Sequence, residues 1–433
     1  MIWNESKECM SREDMRMLQG KRLHKLVDLV YHNTPFYRKK MQEMDLTPED
    51  IQTIDDIVKL PFTTKQDLRD NYPYGLQAAS MQEIVRVHAS SGTTGNPTVV
   101  GYTRHDLEVW KEVTARALGA FGISRNDVFS VGYGYGLFTG GLGLHYGVEH
   151  LGATVIPTST GNTEKHLHLL KDLQVTGLAC TPSYALYLAE TMQKKGMTKE
   201  DLHLRVGVFG AEPWTENMRQ EIEQELGLQG YNIYGLSEII GPGVAYECSC
   251  KNGSHISEDH FYPEIIDPET GQVLPAGETG ELVLTTLTKT GMPLLRYRTK
   301  DLTSLITEPC ECGRTNVRIT RIIGRSDDML IIRGINVFPS QVESVILEMK
   351  EFEPQYMLVV DRQGNLDTLE VQVELRKELY TDEMGSLLNL KKKLADRLKS
   401  VLSISAQVKL MEPNSIPRSE GKSKRVIDKR IIK

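Results

Sequence analysis

Apolar positions recur at helical spacing between about residues 14 and 45, with Leu23, Leu26, Val27, Val30 and Tyr31 on one face, until "NTPFY" interrupts the pattern. From Ile84 onward the period changes. Short β-branched runs, "DVFSVGYGYG", "GATVIPTS", "VTGLACTPS" and "RVGVFGAEPW", end in Gly, Pro, Ser or Thr, and helical stretches such as "SYALYLAETMQKKG" and "TENMRQEIEQELG" lie between them. This alternation predicts parallel sheets flanked by helices. After about residue 255, "EIIDPETGQVLPAGETGELVLTTL" reads as strands punctuated by turns and predicts a small β-barrel-like, more antiparallel part. A third texture begins near "GRSDDMLIIRGINVFPSQVESVILEM". There "YMLVVDRQGNLDTLEVQVEL" predicts a hairpin and "LLNLKKKLADRLKSVL" an amphipathic helix, together a small α+β unit. The expected fold class is α/β, with a large N-terminal domain over 1–326 and a small C-terminal domain over 327–433.

At 433 residues the chain exceeds what one hydrophobic core usually serves, which agrees with two or more domains. A net charge of −7 gives no reason to expect a nucleic-acid partner, although the tail "PRSEGKSKRVIDKRIIK" is locally basic and suits a phosphorylated ligand. No run approaches the roughly 18 apolar residues of a membrane span, and "MIWNESKECM" lacks the pattern of a signal peptide. A cytoplasmic location with reduced cysteines and no membrane partner is the expectation.

Candidate chemistry starts at "ASSGTTGNPTVVG", residues 89–101. Backbone N–H groups and hydroxyls over Ser90, Ser91, Gly92, Thr93, Thr94 and Gly95 suit an anion, because glycine admits close approach of the main chain. A polar turn has the same composition. A Walker-type loop needs Gly-Lys-[Ser/Thr] opening a helix, whereas Gly95 is followed by Asn96 and Pro97, so ordinary kinase or ATPase chemistry is disfavoured. The loop is followed in order by "GAEPW" (210–214), "YGLSE" (234–238), "YRTKD" (297–301), "GRSDDMLIIRG" (324–334) and "PRSEGKSKR" (417–425). With this series the chain resembles the adenylate-forming superfamily. "NTPFYRKK", "YGYGLFTGGLGLHYG", "INVFPSQVE" and "RSEGKSKRVIDKR" make it most similar to the phenylacetate–coenzyme A ligases within that superfamily.

The resemblance implies roles. The loop at 90–95 would hold the ATP phosphates, with Asn96 standing where relatives often carry a basic residue. Glu238 would hold Mg²⁺, with Thr93 or Thr94 nearby, as a hard cation prefers oxygen. Tyr234 would lie against adenine, and Glu212 and Pro213 would border the same pocket. Asp301 would grip the ribose hydroxyls, and Arg325 would make a second ribose or phosphate contact. Lys422 would offset charge at the α-phosphate during adenylation, with Lys424 its rival. Asp327 matches the hinge on which the C-terminal domain rotates, and "RGINVF", including Arg333 and Gly334, would line the coenzyme A channel. In "GYGYGLFTGGLG", Tyr135 and Phe138 can sandwich an aromatic ring while Gly140, Gly141 and Gly143 leave room for it.

Two Cys-x-Cys pairs, 248–250 and 310–312, remain outside this scheme. Structural zinc and free thiols are both open readings. The best four-ligand set is Cys248, His255, Cys310 and Cys312, with Cys250 a substitute, and such a site would be structural because thiolates suit zinc and not the Mg²⁺ of ATP chemistry. The implied function is an ATP-dependent, AMP-forming ligase acting on an aryl acid, phenylacetate first, with coenzyme A as acceptor, in a homodimer. The alternatives are acyl transfer to a carrier protein and a non-catalytic nucleotide-binding module.

Overall fold

The first long helix, Arg12–Asn33, is capped by Ser11, whose side chain accepts from the Asp14 amide. It ends at extended Thr34 because Pro35 follows and opens the next helix, Pro35–Glu43. Leu23, Leu26, Val27 and Val30 are buried and Tyr31 packs half-buried against the same core. The computed structural model describes residues 1–90, 97–326, 330–333, 335–363, 366–379, 384–402, 404–418 and 425–430. By packing, the chain forms two units. One comprises Met1–Cys180, Lys199–Ala211 and Leu228–Ile322, and the other Thr181–Thr198, Glu212–Gly227 and Ile323–Lys433. This grouping differs from a single division after residue 326, since two helical stretches of the α/β part belong with the C-terminal residues.

In the first unit, strands Thr154–Ile156, Val128–Val131, Gly177–Cys180, Val206–Phe209 and Gln229–Leu236 lie side by side in that order, all parallel. Gly177–Cys180 and Val206–Phe209 are buried throughout, so they read as unbroken apolar runs. The sheet changes character within Gln229–Leu236. Up to Asn232 this strand pairs in parallel with Val206–Phe209, and from Ile233 it pairs antiparallel with Gly241–Tyr246. Gly235 permits the switch, as a Cβ there would lie 1.7 Å from the Gly241 carbonyl oxygen. Three antiparallel strands, Phe261–Ile266, Gly280–Thr286 and Tyr297–Thr303, lie side by side within a further, four-stranded sheet, with Ile265 opposite Leu282 and Leu284 opposite Tyr297. The hairpin Ile84–Ala89 and Val99–Thr103 carries the Ser/Thr/Gly loop between its strands.

Helix Arg104–Ala120 holds a buried ionic cluster. Arg116 Nε meets Glu112 Oε1 at 2.6 Å, and its two terminal nitrogens grip Asp259 at 2.7 and 3.0 Å. Burial pushes the Asp259 carboxyl up, but His260, Arg116 and Arg22 outweigh it and hold the group well below the usual carboxylate range. A depressed native pKa stabilises the fold at neutral pH, and that contribution is lost as the pH falls through the ordinary carboxylate range toward the native value.

In the second unit, strands Gln407–Met411, Leu366–Leu375, Phe352–Gln363 and Val426–Asp428 form one sheet in that order. The predicted hairpin is its centre, with Leu358 opposite Val371. Leu394 and Leu398 of helix Met384–Leu402 join Val342 and Ile346 of helix Pro339–Leu347 in its core. Among the described residues no helix is long and apolar enough to cross a membrane.

Candidate active site and metal cluster

In parallel sheets the carboxyl ends of strands are where ligands collect, because the loops leaving them are free to diverge. "GYGYG", "GAEPW" and "YGLSE" all follow or end such strands. The predicted adenine and ribose residues meet there. Tyr234, on Gln229–Leu236, donates its hydroxyl to Asp301 Oδ2 at 2.5 Å, from a strand of the neighbouring antiparallel sheet. Asp301 is buried, and its amide donates to Thr299 Oγ1.

Glu238 is buried in the turn that follows Tyr234, and three elements fix that turn. Tyr102 donates its hydroxyl to the Ser237 and Ile240 carbonyls, Thr139 Oγ1 lies 3.0 Å from Ser237 Oγ, and Lys289 Nζ donates to the Glu238 carbonyl at 2.9 Å. Burial lowers the Lys289 ammonium to about 8, opposed by the Asp106 and Glu238 carboxylates. Lys289 also stands 4.9 Å from the centre of the Tyr102 ring. Sequence reasoning passed over Tyr102, Thr139 and Lys289, and the only signal for Lys289 was a lone cation within the apolar stretch "VLTTLTKTGMPLL".

Ser90 follows directly on the strand Ile84–Ala89, and its amide donates to the Thr98 carbonyl. The hydroxyls of Ser90 and Thr98 are buried without a hydrogen-bond partner among the described residues, which fits a loop built to receive an outside acceptor or donor. Ser91, Gly92, Thr93, Thr94, Gly95 and Asn96 lie outside the described residues, as do Asp327, Gly334, Lys422 and Lys424. In the second unit, Glu212 accepts from the amide and hydroxyl of Ser183 and so ties the "GAEPW" segment to the start of helix Pro182–Lys194. Pro213 is the next residue in that segment. Arg325 is half-buried on the short strand Gly324–Arg325. Arg333 is exposed in a turn, with its Nε donating to the Asp367 carbonyl.

Tyr135 and Phe138 flank the start of helix Thr139–Leu151, both half-buried. Tyr135 shares a 3.2 Å hydrogen bond with His145 Nδ1, one helical turn and more along. Protein groups stand close against the glycines of this stretch. A Cβ on Gly140 would lie 2.5 Å from the Phe138 ring, on Gly141 2.6 Å from the Gly134 carbonyl oxygen, and on Gly143 2.5 Å from the Trp110 ring. Each of these glycines thus lets a protein group approach closely. Their missing side chains are replaced by protein atoms, and they set the position of Phe138 and of the helix.

The cysteine pairs do converge. One ligand atom from each of Cys248, His255, Cys310 and Cys312 lies within 4.8 Å of every other. Cys248 Sγ is 3.7 Å from Cys310 Sγ, and Cys312 Sγ is 3.4 Å from His255 Nε2. A tetrahedral zinc with its usual bond lengths needs about 3.8 Å between sulfurs and about 3.6 Å between sulfur and nitrogen. His255 Nδ1 faces the Asn316 carbonyl oxygen at 3.3 Å, the second contact that leaves Nε2 free to ligate. Hydrogen bonding from the Cys248 thiol, then from His255, pulls Cys312 toward thiolate, while Cys248 is pushed up. Cys250 is absent from the converging set.

Residues 13–288 match the family described as AMP-binding enzyme, and residues 334–430 the AMP-binding enzyme C-terminal domain. The chain is 50% identical to the phenylacetate-coenzyme A ligase of Thermus thermophilus, over 99% of this chain and all of that one. It is 51% identical to the Pseudomonas putida phenylacetate-coenzyme A ligase, over 98% of this chain and 96% of that one. Among solved structures, 2-hydroxyisobutyryl-CoA ligase in the postadenylation state with 2-HIB-AMP is similar with a TM-score of 0.93 and 28% identity, covering 98% of this chain and 92% of the other. The chain is thus an acid–thiol ligase of the AMP-binding enzyme family, and within it belongs with the phenylacetate–coenzyme A ligases.

Proposed function

We propose that the protein converts an aryl acid, phenylacetate first among candidates, to its coenzyme A thioester at the expense of ATP. A carboxylate oxygen attacks the α-phosphorus, the bond to pyrophosphate breaks, and the acyl adenylate results. The thiol sulfur of coenzyme A then attacks the acyl carbon, losing its proton, and AMP leaves. The observation that carries the reading is the Tyr234–Asp301 hydrogen bond, which joins the two residues assigned to base and ribose where the sheet switches direction. A carboxylate carries several acceptor sites, enough in number for a tyrosine hydroxyl and a sugar diol.

In this reading the loop at 90–95 and Arg325 position phosphates, Glu212 and Pro213 border the nucleotide, and Lys422 offsets charge as the α-phosphorus is attacked. Bound Mg²⁺, held by Glu238 with Thr93 or Thr94, would neutralise phosphate oxygens. The Glu238 turn suits that task, being fixed by Tyr102, Thr139 and Lys289. Asp327 would be the hinge, and Arg333 and Gly334 would line the coenzyme A channel. We place the enzyme in the cytoplasm as a homodimer, as its family resemblance implies.

A panel of aryl and short aliphatic acids, assayed for acid-dependent pyrophosphate release with and without coenzyme A, tests the reading. Release without thiol and thioester with it are expected. Release with no thioester would point to a carrier-protein acceptor, and no release to a nucleotide-binding module. Within the same panel Phe138→Ala should weaken aryl acids by about 1–3 kcal/mol more than aliphatic ones. Equal losses would assign Phe138 to the fold alone.

The four-ligand cluster we read as a structural zinc site, on its donor chemistry and spacing. Protein prepared without chelator should hold about one zinc per chain by elemental analysis. Replacing Cys310 and Cys312 by Ser should release it and lower the melting temperature, because metal binding contributes to folding. Zinc-free protein would leave four reduced thiols.

A further inference from the structure

The loop that supplies Cys310 and Cys312 continues into Arg314, Thr315 and Val317, and each of these grips the segment 3–12 or a residue that does. Arg314 Nε donates to Glu8 Oε2 at 2.5 Å, in a site where both side chains are buried. Glu8 folds its own segment around that carboxylate, since the amides of Trp3 and Asn4 donate to Oε1 at 2.8 and 2.6 Å. The Thr315 amide donates to the Glu8 carbonyl, and its hydroxyl to the Met10 carbonyl at 2.6 Å. Arg12 closes the far side with a bidentate pair on Glu258, at 2.5 and 3.0 Å, and Glu258 also accepts from the Val317 amide.

These contacts converge on the ligands themselves. Arg314 stands two residues beyond Cys312, so the side chain that grips Glu8 is carried by the same short loop as a ligand. Tyr246 donates to Glu8 Oε2, and its ring lies 6.3 Å from that of His255. Glu258 stands three residues beyond His255, on the same stretch of chain. From the segment the chain of contacts goes on into the helix Arg104–Ala120, where Asn4 Nδ2 donates to Glu112 Oε1, the carboxylate that also receives Arg116.

From these contacts, and resting on the zinc reading above, we infer that the metal acts as a clasp, fixing the 310–317 loop against His255 so that Arg314, Thr315 and Glu258 hold the segment 3–12 on the first unit. A buried carboxylate such as Glu8 keeps its place only while its partners keep theirs. Without the ion, four ligand groups lose their common anchor, and the loop that carries Arg314 to Glu8 is no longer fixed from the Cys312 side. The segment is short and its one aromatic, Trp3, packs half-buried against the core, so its protection should rest on the polar contacts of the clasp as well as on that ring.

Amide hydrogen exchange on the full chain, with zinc and after removal by a chelator, tests this. Peptides covering 3–12 are expected to exchange at least about tenfold faster in stripped protein, while those covering the core strand Gln229–Leu236 change far less. Arg314→Gln, which leaves all four ligands in place, should retain about one zinc per chain and show the same local loss. Zinc present, with protection of 3–12 unmoved by its removal or by Arg314→Gln, would overturn the clasp alone. An even rise in exchange along the whole chain would do the same, since the metal would then support the fold in general. Absence of zinc from protein prepared without chelator would overturn the cluster reading and the clasp with it.

Discussion

Lys422→Ala is expected to cut acyl-adenylate formation by roughly 10²–10³ while leaving thioester formation from supplied adenylate largely intact. The effect is electrostatic. As the carboxylate attacks, negative charge gathers on the oxygens around the α-phosphorus, and a single oriented ammonium in a water-poor site offsets it. The second half-reaction starts from a bound adenylate and no longer passes through that charge distribution. Single-turnover assays of the two steps separate the cases. Equal loss of both would remove Lys422 from the role, and the same pair of assays on Lys424→Ala would show whether the neighbouring lysine holds it.

Arg116→Met should cost the first unit about 3–5 kcal/mol, seen as a fall in the urea midpoint. Asp259 is 1% exposed, and its bidentate grip by Arg116 is the contact that makes a buried carboxylate tolerable. Removing the guanidinium leaves that charge in a site from which water is excluded. Adding Asp259→Asn should recover part of the loss, because the unpaired charge then disappears. A cost under about 1 kcal/mol would mean that Arg22 and His260 hold Asp259 without Arg116.

What could be read in advance was contiguous in the chain. The helix break at Thr34 followed from Pro35, the C-terminal hairpin from its alternation, and the nucleotide motifs from their order. The cysteine cluster was legible because the Cys-x-Cys pairs flag themselves, and the set with His255 proved to be the one that converges. What stayed hidden depends on pairs far apart. Arg116 and Asp259 are 143 positions apart, and Tyr102 and Lys289 reach the Glu238 turn from two other elements. No local pattern announces such partners, because their side chains are chosen by what folds against them. The glycines of helix Thr139–Leu151 show the same limit, since a missing side chain signals close approach, but only the structure names Phe138, Gly134 and Trp110 among the approaching groups.

The Tyr234–Asp301 hydrogen bond has an implication for nucleotide selectivity. With the roles proposed above, the residue that faces the base is also the one that orients the carboxylate reading the sugar. A change at position 234 that alters tolerance for the base would remove that hydrogen bond from Asp301 and alter discrimination between ribose and deoxyribose at once. The two preferences thus form one trait, and neither can be tuned from position 234 while the other stays still.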